Sequence, residues 1–248
     1  FELLTRLNMS FVVVVGGARE ILGVVLRESQ RWSHRSGQIV LKALILAGGK
    51  GERLMPLTES CPKPLLKVGK ERIIDYVLSS VRAAGADEII ISVNYLKNRF
   101  KIEPFDDAIS FLEEPTRLGT GGPLIRCIKE RYADHDFATS DHDHVILVAN
   151  GDLYCRFGSS LVDRFVRSGA DLAACFVRSE TQLQFGLVSD SGDSVRIEER
   201  PTVSHKKNAG VYLFRLTQSL VNYLMIESDG YIDMPELFNR LAESFEAM

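Results

Sequence analysis

Leu41 to Ala47 is a near-continuous apolar run that ends abruptly at Gly48-Gly49-Lys50-Gly51. A run of that length stopped by glycine reads as a strand buried on both faces, the kind found in parallel sheets. Beyond it, Ile74, Val77, Leu78 and Val81 recur at the spacing of one helix face, with Gly85 as the stop. Strand patterns follow at Glu88 to Val93, Ile109 to Leu112, Val145 to Ala149 and Asp171 to Val177. Between them, Gly119 to Tyr132 opens as a loop and becomes a helix, and Leu161 to Arg167 is helical. Phe185 to Ser189 and Val195 to Glu198 flank Asp190-Ser191-Gly192-Asp193, a hairpin signal. A strand at Ala209 to Phe214 and helices at Leu216 to Ile226 and Pro235 to Phe245 close the chain. Strand and helix in alternation predict an α/β fold: a doubly wound, mostly parallel, Rossmann-like sheet.

Residues 1 to about 36 stand apart from this alternation. They predict a short helix (Phe1 to Asn8), a strand (Phe11 to Val15), a Gly16-Gly17 turn, a strand (Leu22 to Leu26) and another short helix. Ser33 to Gln38 is the expected linker, so the chain divides into a small N-terminal α+β appendage at 1–38 and a main domain at 39–248.

Composition narrows the class. The 248 residues are 45% hydrophobic and 25% charged, with a formal net charge of −3, which gives no support to a nucleic-acid or anionic-membrane partner. No apolar run approaches the roughly 18 residues of a membrane span. Cys61, Cys127, Cys155 and Cys175 are scattered without a Cys-x-x-Cys pair, and read as reduced thiols of a cytoplasmic protein. The chain opens on Phe1 rather than Met, which reads as a fragment.

The glycine turn after Ala47 carries the first chemistry. Glycines let backbone N–H groups approach an anion closely, and a turn at a strand's carboxyl end sits where open α/β sheets bind ligands. Arg53 adds a planar fork for phosphate oxygens, and Lys63 a compact charge able to follow a phosphoryl group. Pro62 and Pro64 stiffen the segment that presents Lys63. Two common motifs are excluded. Leu54 stands after Arg53 where a dinucleotide fingerprint needs its third glycine, and Gly51 follows Lys50 where a P-loop needs Ser or Thr.

The whole block, GGKGERLMPLT followed by PKPLL, resembles the signature of the sugar-phosphate nucleotidyltransferases, which make nucleotide sugars from a nucleoside triphosphate and a sugar 1-phosphate. The loop is most similar to the mannose- and heptose-1-phosphate guanylyltransferase branch, and the resemblance runs from Leu41 to about Leu241. It implies that Ala47, Gly48, Gly49 and Gly51 bind nucleotide, with Arg53 and Lys63 in the chemistry. Leu118-Gly119-Thr120-Gly121-Gly122 looks like the base-recognition loop, with Gly119 and Thr120 at the nucleobase; the other reading is a helix N-terminus capped by Thr120.

Asp152 ends the strand VILVAN-Gly151. By itself Asn150-Gly151-Asp152 is an ordinary turn. The resemblance makes Asp152 the ligand for Mg²⁺, the implied cofactor. Gly186, Glu199, Arg200 and Asn208 match, in family order, a sugar-phosphate pocket, Arg200 standing where the family more often has Lys, a swap that bears on sugar choice. Asp134-His135-Asp136 and Asp141-His142-Asp143-His144 could suggest a metal cluster but read as a solvated loop before the strand leading to Asp152, hence at the opposite sheet edge. Residues 1 to about 36 resemble part of a CBS motif, a nucleotide-sensing module.

The expected activity is transfer of a nucleoside monophosphate to a sugar 1-phosphate, with GTP favoured over UTP, dTTP or CTP, and with homo-oligomer formation as a further association. A regulatory relative without catalysis and an enzyme for phosphocholine are the alternatives. Retention of Arg53, Lys63 and Asp152 argues against the first, and Glu199 with Asn208 against the second. A second metal-binding aspartate, expected within a Trp-x-Asp-x-Gly-like segment, has no counterpart before Met248, so the main domain reads as truncated at its C-terminus. Asp233, with Glu236 three residues on, reads as a helix N-cap in a capping box rather than as that missing ligand.

Overall fold

The computed structural model describes residues 11–15, 21–26 and 39–246, apart from 138, 141, 191 and 193. Near the N-terminus, β1 (Phe11–Val15) and β2 (Ile21–Leu26) pair antiparallel. The two short helices, the Gly16-Gly17 turn and the linker expected there lie outside the described residues.

The apolar run becomes β3 (Ile39–Leu46), the strand on which the main sheet is built. Its residues alternate between two cores: Ala43 and Ile45 face one, Leu44 the other, and all three are fully buried. Burial on both sides explains why the run lacks a polar alternation. Next come a small hairpin, β4 (Lys67–Val68) with β5 (Glu71–Arg72), and the helix α1 (Ile73–Ala83). These are followed by β6 (Glu88–Val93), α2 (Lys97–Ile102), β7 (Ile109–Glu113), α3 (Gly122–Arg131) and β8 (Asp143–Asn150). The remainder is α4 (Ser159–Ser168), β9 (Leu172–Gln182), β10 (Leu187–Asp190), β11 (Val195–Glu198), β12 (Thr202–Arg215), α5 (Gln218–Ile226) and α6 (Met234–Glu246).

The six-stranded sheet runs β7-β6-β3-β8-β12-β9. β3 pairs in parallel with both β6 and β8, while β12 is antiparallel to β8 and to β9. The expected α/β architecture with a mostly parallel sheet is therefore present, with one reversed strand. α1 and α4 cover one face through Ile74, Val81, Leu161 and Phe165; α3, α5 and α6 cover the other through Leu124, Ile128, Leu220 and Leu237. Strand order reverses between β3 and β8, and a crevice at such a reversal, outside the carboxyl ends of the strands, is where α/β sheets take ligands.

The sequence pattern misses three things. β9 runs on to Gln182 and β12 begins at Thr202, so a polar two-stranded ribbon extends beyond the sheet, pairing Thr202 with Gln182 and Asn208 with Phe176. Its residues are mostly exposed, and backbone ladders leave no apolar trace in a sequence. α2 is a single short helix with one buried residue, Phe100, too little for a period to show. β4 and β5 are only two residues each.

The Asp/His-rich loop leads into the amino end of β8, as expected. Asp143 is spent on the buried Arg215, which also donates to the Val166 carbonyl at 3.0 Å, and His144 Nε2 lies 2.8 Å from the Ser140 hydroxyl. β8 spans eight residues, so this loop lies roughly 25 Å of strand away from Gly151. Among the described residues, no group of three or more His, Cys, Asp or Glu side chains is placed to hold a metal, and no helix is long and apolar enough to cross a membrane.

Candidate active site

Three loops converge at the carboxyl edge of β3, β6 and β8. The first is the glycine turn, which is pinned from several sides. Ala47 N–H donates to the Ser92 carbonyl at 2.9 Å, holding the turn's entry to β6. Gly51 has φ 65°, a left-handed conformation that favours glycine, and a side chain there would press on Thr58 and Lys63. The fully buried Thr58 donates its hydroxyl to the Gly51 carbonyl at 3.0 Å. A one-turn 3₁₀ helix, Glu52–Leu54, then sets Arg53 on the cleft with an exposed side chain. A second such turn, Lys63–Leu65, buries Pro64 and Leu65 and leaves Lys63 facing the cleft.

The second loop follows β8. Gly151 N–H donates to the Leu46 carbonyl at 2.8 Å, and a Cβ at Gly151 would stand 2.8 Å from that same oxygen, so only glycine lets the two strand ends meet this closely. The next residue, Asp152, accepts a hydrogen bond from Lys63 Nζ, an ion pair in which both side chains are about one-third exposed.

The third loop is Leu118-Gly119-Thr120. Gly119 has φ 76°, and a Cβ there would overlap the Ile232 carbonyl oxygen. Thr120 caps a helix, but not its own: α3 has Gly121 at its N-cap and no side-chain cap, whereas the Thr120 hydroxyl accepts from Met234 N–H at 2.7 Å, the start of α6. Asp233 is not the N-cap acceptor of a capping box. Its carboxylate turns to Thr120, accepting from Thr120 N–H and hydroxyl, both at 3.3 Å, and from Tyr231 Oη at 3.1 Å, while Glu236 pairs with Arg240.

Together these loops enclose a cleft of about 420 Å³. Ala47, Gly48, Gly49, Gly51, Arg53, Lys63, Gly119, Thr120 and Asp152 all line it. Gly186, Glu199, Arg200 and Asn208 do not. Gly186 and Glu199 adjoin each other at the base of the exposed β10–β11 hairpin, and Glu199 and Arg200 are both exposed, Arg200 with φ 48°. Asn208 lies where β12 bulges, its amide bonded to Tyr212 Oη and to Gly210 N–H, and Gly210 abuts the side chain of Asn150, which lines the cleft.

The cleft also contains Glu114, Arg117 and Tyr231, to which the motifs assign no role, and Asp233, expected only as a helix N-cap. Glu114 is buried against Gly48, where any Cβ would meet its carboxylate. It accepts from the Ser92 hydroxyl at 2.6 Å and from Leu118 N–H at 3.4 Å, so one side chain touches both the glycine turn and the third loop. Burial raises its carboxyl pKa above the ordinary value, with the Ser92 and Leu118 hydrogen bonds opposing. Its position directly before the Leu118 loop is the one sequence signal that could have found it.

The donor set suits a small hard cation. Asp152 offers carboxylate oxygen on the same cleft as the glycine turn, and Mg²⁺ needs only one or two carboxylates when phosphate oxygens complete its shell.

Residues 42–237 match the nucleotidyl transferase family, and the chain belongs to it. Among its curated relatives, the mannose-1-phosphate guanylyltransferase catalytic subunit beta of Dictyostelium discoideum is 31% identical over 190 residues, covering 71% of this chain and 50% of the relative. The corresponding subunit of Xenopus tropicalis is 32% identical over 186 residues, covering 70% and 49%. The chain thus spans about half the length of these relatives. Two solved structures share the fold: HddC from Yersinia pseudotuberculosis complexed with GMP-PN (TM-score 0.52, 23% identity, 77% of this chain and 81% of that one), and the CTP:phosphocholine cytidylyltransferase of Streptococcus pneumoniae (TM-score 0.56, 20% identity, 84% and 87%). The family match begins at residue 42 and lends nothing to the CBS-like reading of residues 1–36.

Proposed function

We propose that this chain transfers a nucleoside monophosphate from a nucleoside triphosphate to a sugar 1-phosphate, releasing pyrophosphate. The observation that carries the reading is the meeting of Lys63 and Asp152 beneath the glycine turn, with Arg53 and the Gly119-Thr120 loop on the same cleft. An oxygen of the sugar 1-phosphate forms the new bond to the α-phosphorus as the bond from that phosphorus to the bridging oxygen of the β-phosphate breaks. Positioning and charge neutralisation carry such a transfer, with no covalent enzyme intermediate required.

In this reading the glycine turn and Arg53 bind the triphosphate, and Lys63 stabilises charge shared between the reacting phosphates. Asp152 would hold Mg²⁺, which when bound neutralises charge on the phosphate oxygens. The named relatives support GTP and mannose 1-phosphate as the substrate pair. Gly186, Glu199, Arg200 and Asn208 are proposed for the sugar phosphate, reached across Asn150 and Gly210. The four cysteines are unpaired, and burial pushes the Cys155 thiol up to about 11 and that of Cys127 up to about 12. That supports a reducing, cytoplasmic setting, with those two thiols as structural rather than nucleophilic groups.

The test is a grid of GTP, UTP, dTTP and CTP against mannose, glucose and heptose 1-phosphates and phosphocholine, read by pyrophosphate release. Release with GTP and a sugar 1-phosphate is expected. Release with phosphocholine alone would replace this reading by the alternative acceptor, and release with no pair would contradict it.

A further inference from the structure

The third loop of the cleft is held by the far end of the chain. Ile232 N–H donates to the Leu118 carbonyl at 3.0 Å, and the Ile232 carbonyl accepts from Gly121 N–H at 2.9 Å and Gly122 N–H at 3.3 Å. One residue on, the exchange becomes reciprocal: the Thr120 hydroxyl accepts from Met234 N–H at 2.7 Å, while the Asp233 carboxylate accepts from Thr120 N–H and hydroxyl. The loop's donors at 120, 121 and 122 are therefore committed before any ligand arrives. Gly119 and Gly121 both lie so close to this segment that a Cβ on Gly119 would overlap the Ile232 carbonyl and one on Gly121 would stand 3.2 Å from it.

At the start of α6, Met234 N–H finds its acceptor in the Thr120 hydroxyl, and Pro235 has no N–H to satisfy. The Asp233 carboxylate is thus not used as the helix cap. It sits on the cleft wall, oriented by Tyr231 Oη, and its only other described partner is Thr120. A charged acceptor strengthens hydrogen bonds to N–H and O–H donors, and a loop already fixed in shape loses less freedom when it binds.

From this geometry we infer that Asp233 is a positioning residue of the nucleotide site: through Thr120 it fixes the Gly119-Thr120 edge, so that the start of α6 sets triphosphate affinity. The inference rests on the nucleotide reading above. It assigns Asp233 neither to the metal nor to the reacting phosphates, so its removal alters binding rather than turnover.

The experiment measures GTP affinity by calorimetry in the presence of Mg²⁺, with UTP, dTTP and CTP alongside, and kcat, KM and Mg²⁺ dependence with the best pair. Asp233→Ala is expected to weaken binding of the preferred triphosphate on the order of tenfold, the scale of one charge-assisted hydrogen bond at a partly solvated site. kcat, the KM for the sugar 1-phosphate and the Mg²⁺ titration stay near their original values. Asp233→Asn, which keeps an acceptor for Thr120 N–H, restores most of the affinity. Thr120→Val removes the hydroxyl link but keeps the Thr120 N–H bond to Asp233, and it too weakens triphosphate binding; the double variant loses less affinity than the two single losses combined, because they share the hydroxyl link. Thr120→Val carries the test should Asp233→Ala not fold, unchanged triphosphate affinity again overturning the inference.

Equal triphosphate affinity in the unaltered chain and in Asp233→Ala would overturn the inference. So would a collapse of kcat accompanied by a raised Mg²⁺ requirement, which would make Asp233 a metal ligand. An unaltered chain that binds none of the four triphosphates contradicts the proposed function itself, and the inference with it.

Discussion

Lys63 Nζ donates to the Asp152 carboxylate across 89 positions of sequence, joining the loop after β3 to the loop after β8 at the point where the strand order reverses. A cation and a carboxylate brought together on the wall of this cleft can each exchange the other for a phosphate group or a metal. The pair is partly exposed, so separating it costs little compared with a buried pair.

Lys63→Ala and Arg53→Ala are each expected to lower turnover on the order of 10²–10³, the scale for losing one preorganised donor to developing charge. Steady-state kinetics at saturating substrates check this. Unchanged kcat in either variant would remove that residue from the chemistry.

Asp152→Asn keeps the side-chain shape but loses the charge, so the half-saturating Mg²⁺ concentration should rise while the melting temperature stays near that of the parent. Superimposable Mg²⁺ titrations for variant and parent would place the metal elsewhere.

Gly119→Ala puts a side chain into a left-handed backbone and against the Ile232 carbonyl. It should destabilise the chain by about 1–2 kcal/mol or more, from the backbone conformation alone, and weaken triphosphate binding. Denaturant melts and calorimetry read the two effects. A Gly119→Ala chain as stable as the parent would mean that the third loop yields without cost.

Glu114 gives a pH signature. Its folded carboxyl pKa lies above the ordinary value, so between the two the folded chain holds more proton than the unfolded one, and stability falls as pH rises through that window. Glu114→Gln removes this dependence. The variant should therefore gain on the parent as pH rises through and above the ordinary carboxylate range, the two keeping step below it. Melting temperatures over that range test it. Parallel curves throughout would show that the Glu114 carboxyl is not raised.

Much of this was legible because a few residues carry both fold and chemistry. The run into Gly48 announced a doubly buried strand and the glycine turn that lines the cleft, and Asp152 stood at the end of another such strand. The reversed β12 was not legible, because direction follows from connection length and ladder pairing, and a buried strand has the same apolar pattern either way. The roles of Glu114 and Asp233 were hidden for a different reason. One side chain bridges two loops and the other reaches from the start of α6 to Thr120, 113 positions earlier, and sequence spacing records neither contact. Asp233 carried a misleading local signal as well, since Asp with Glu three residues on is a common helix start.

The central claim is tested most directly by the fate of two labels. With GTP labelled at the α-phosphorus and mannose 1-phosphate as acceptor, the account predicts label in a nucleotide sugar, and with GTP labelled at the γ-phosphorus, label in pyrophosphate. Label from the γ-position in free phosphate, with no nucleotide sugar formed from any triphosphate and sugar 1-phosphate, would make this cleft a site of hydrolysis and contradict the account.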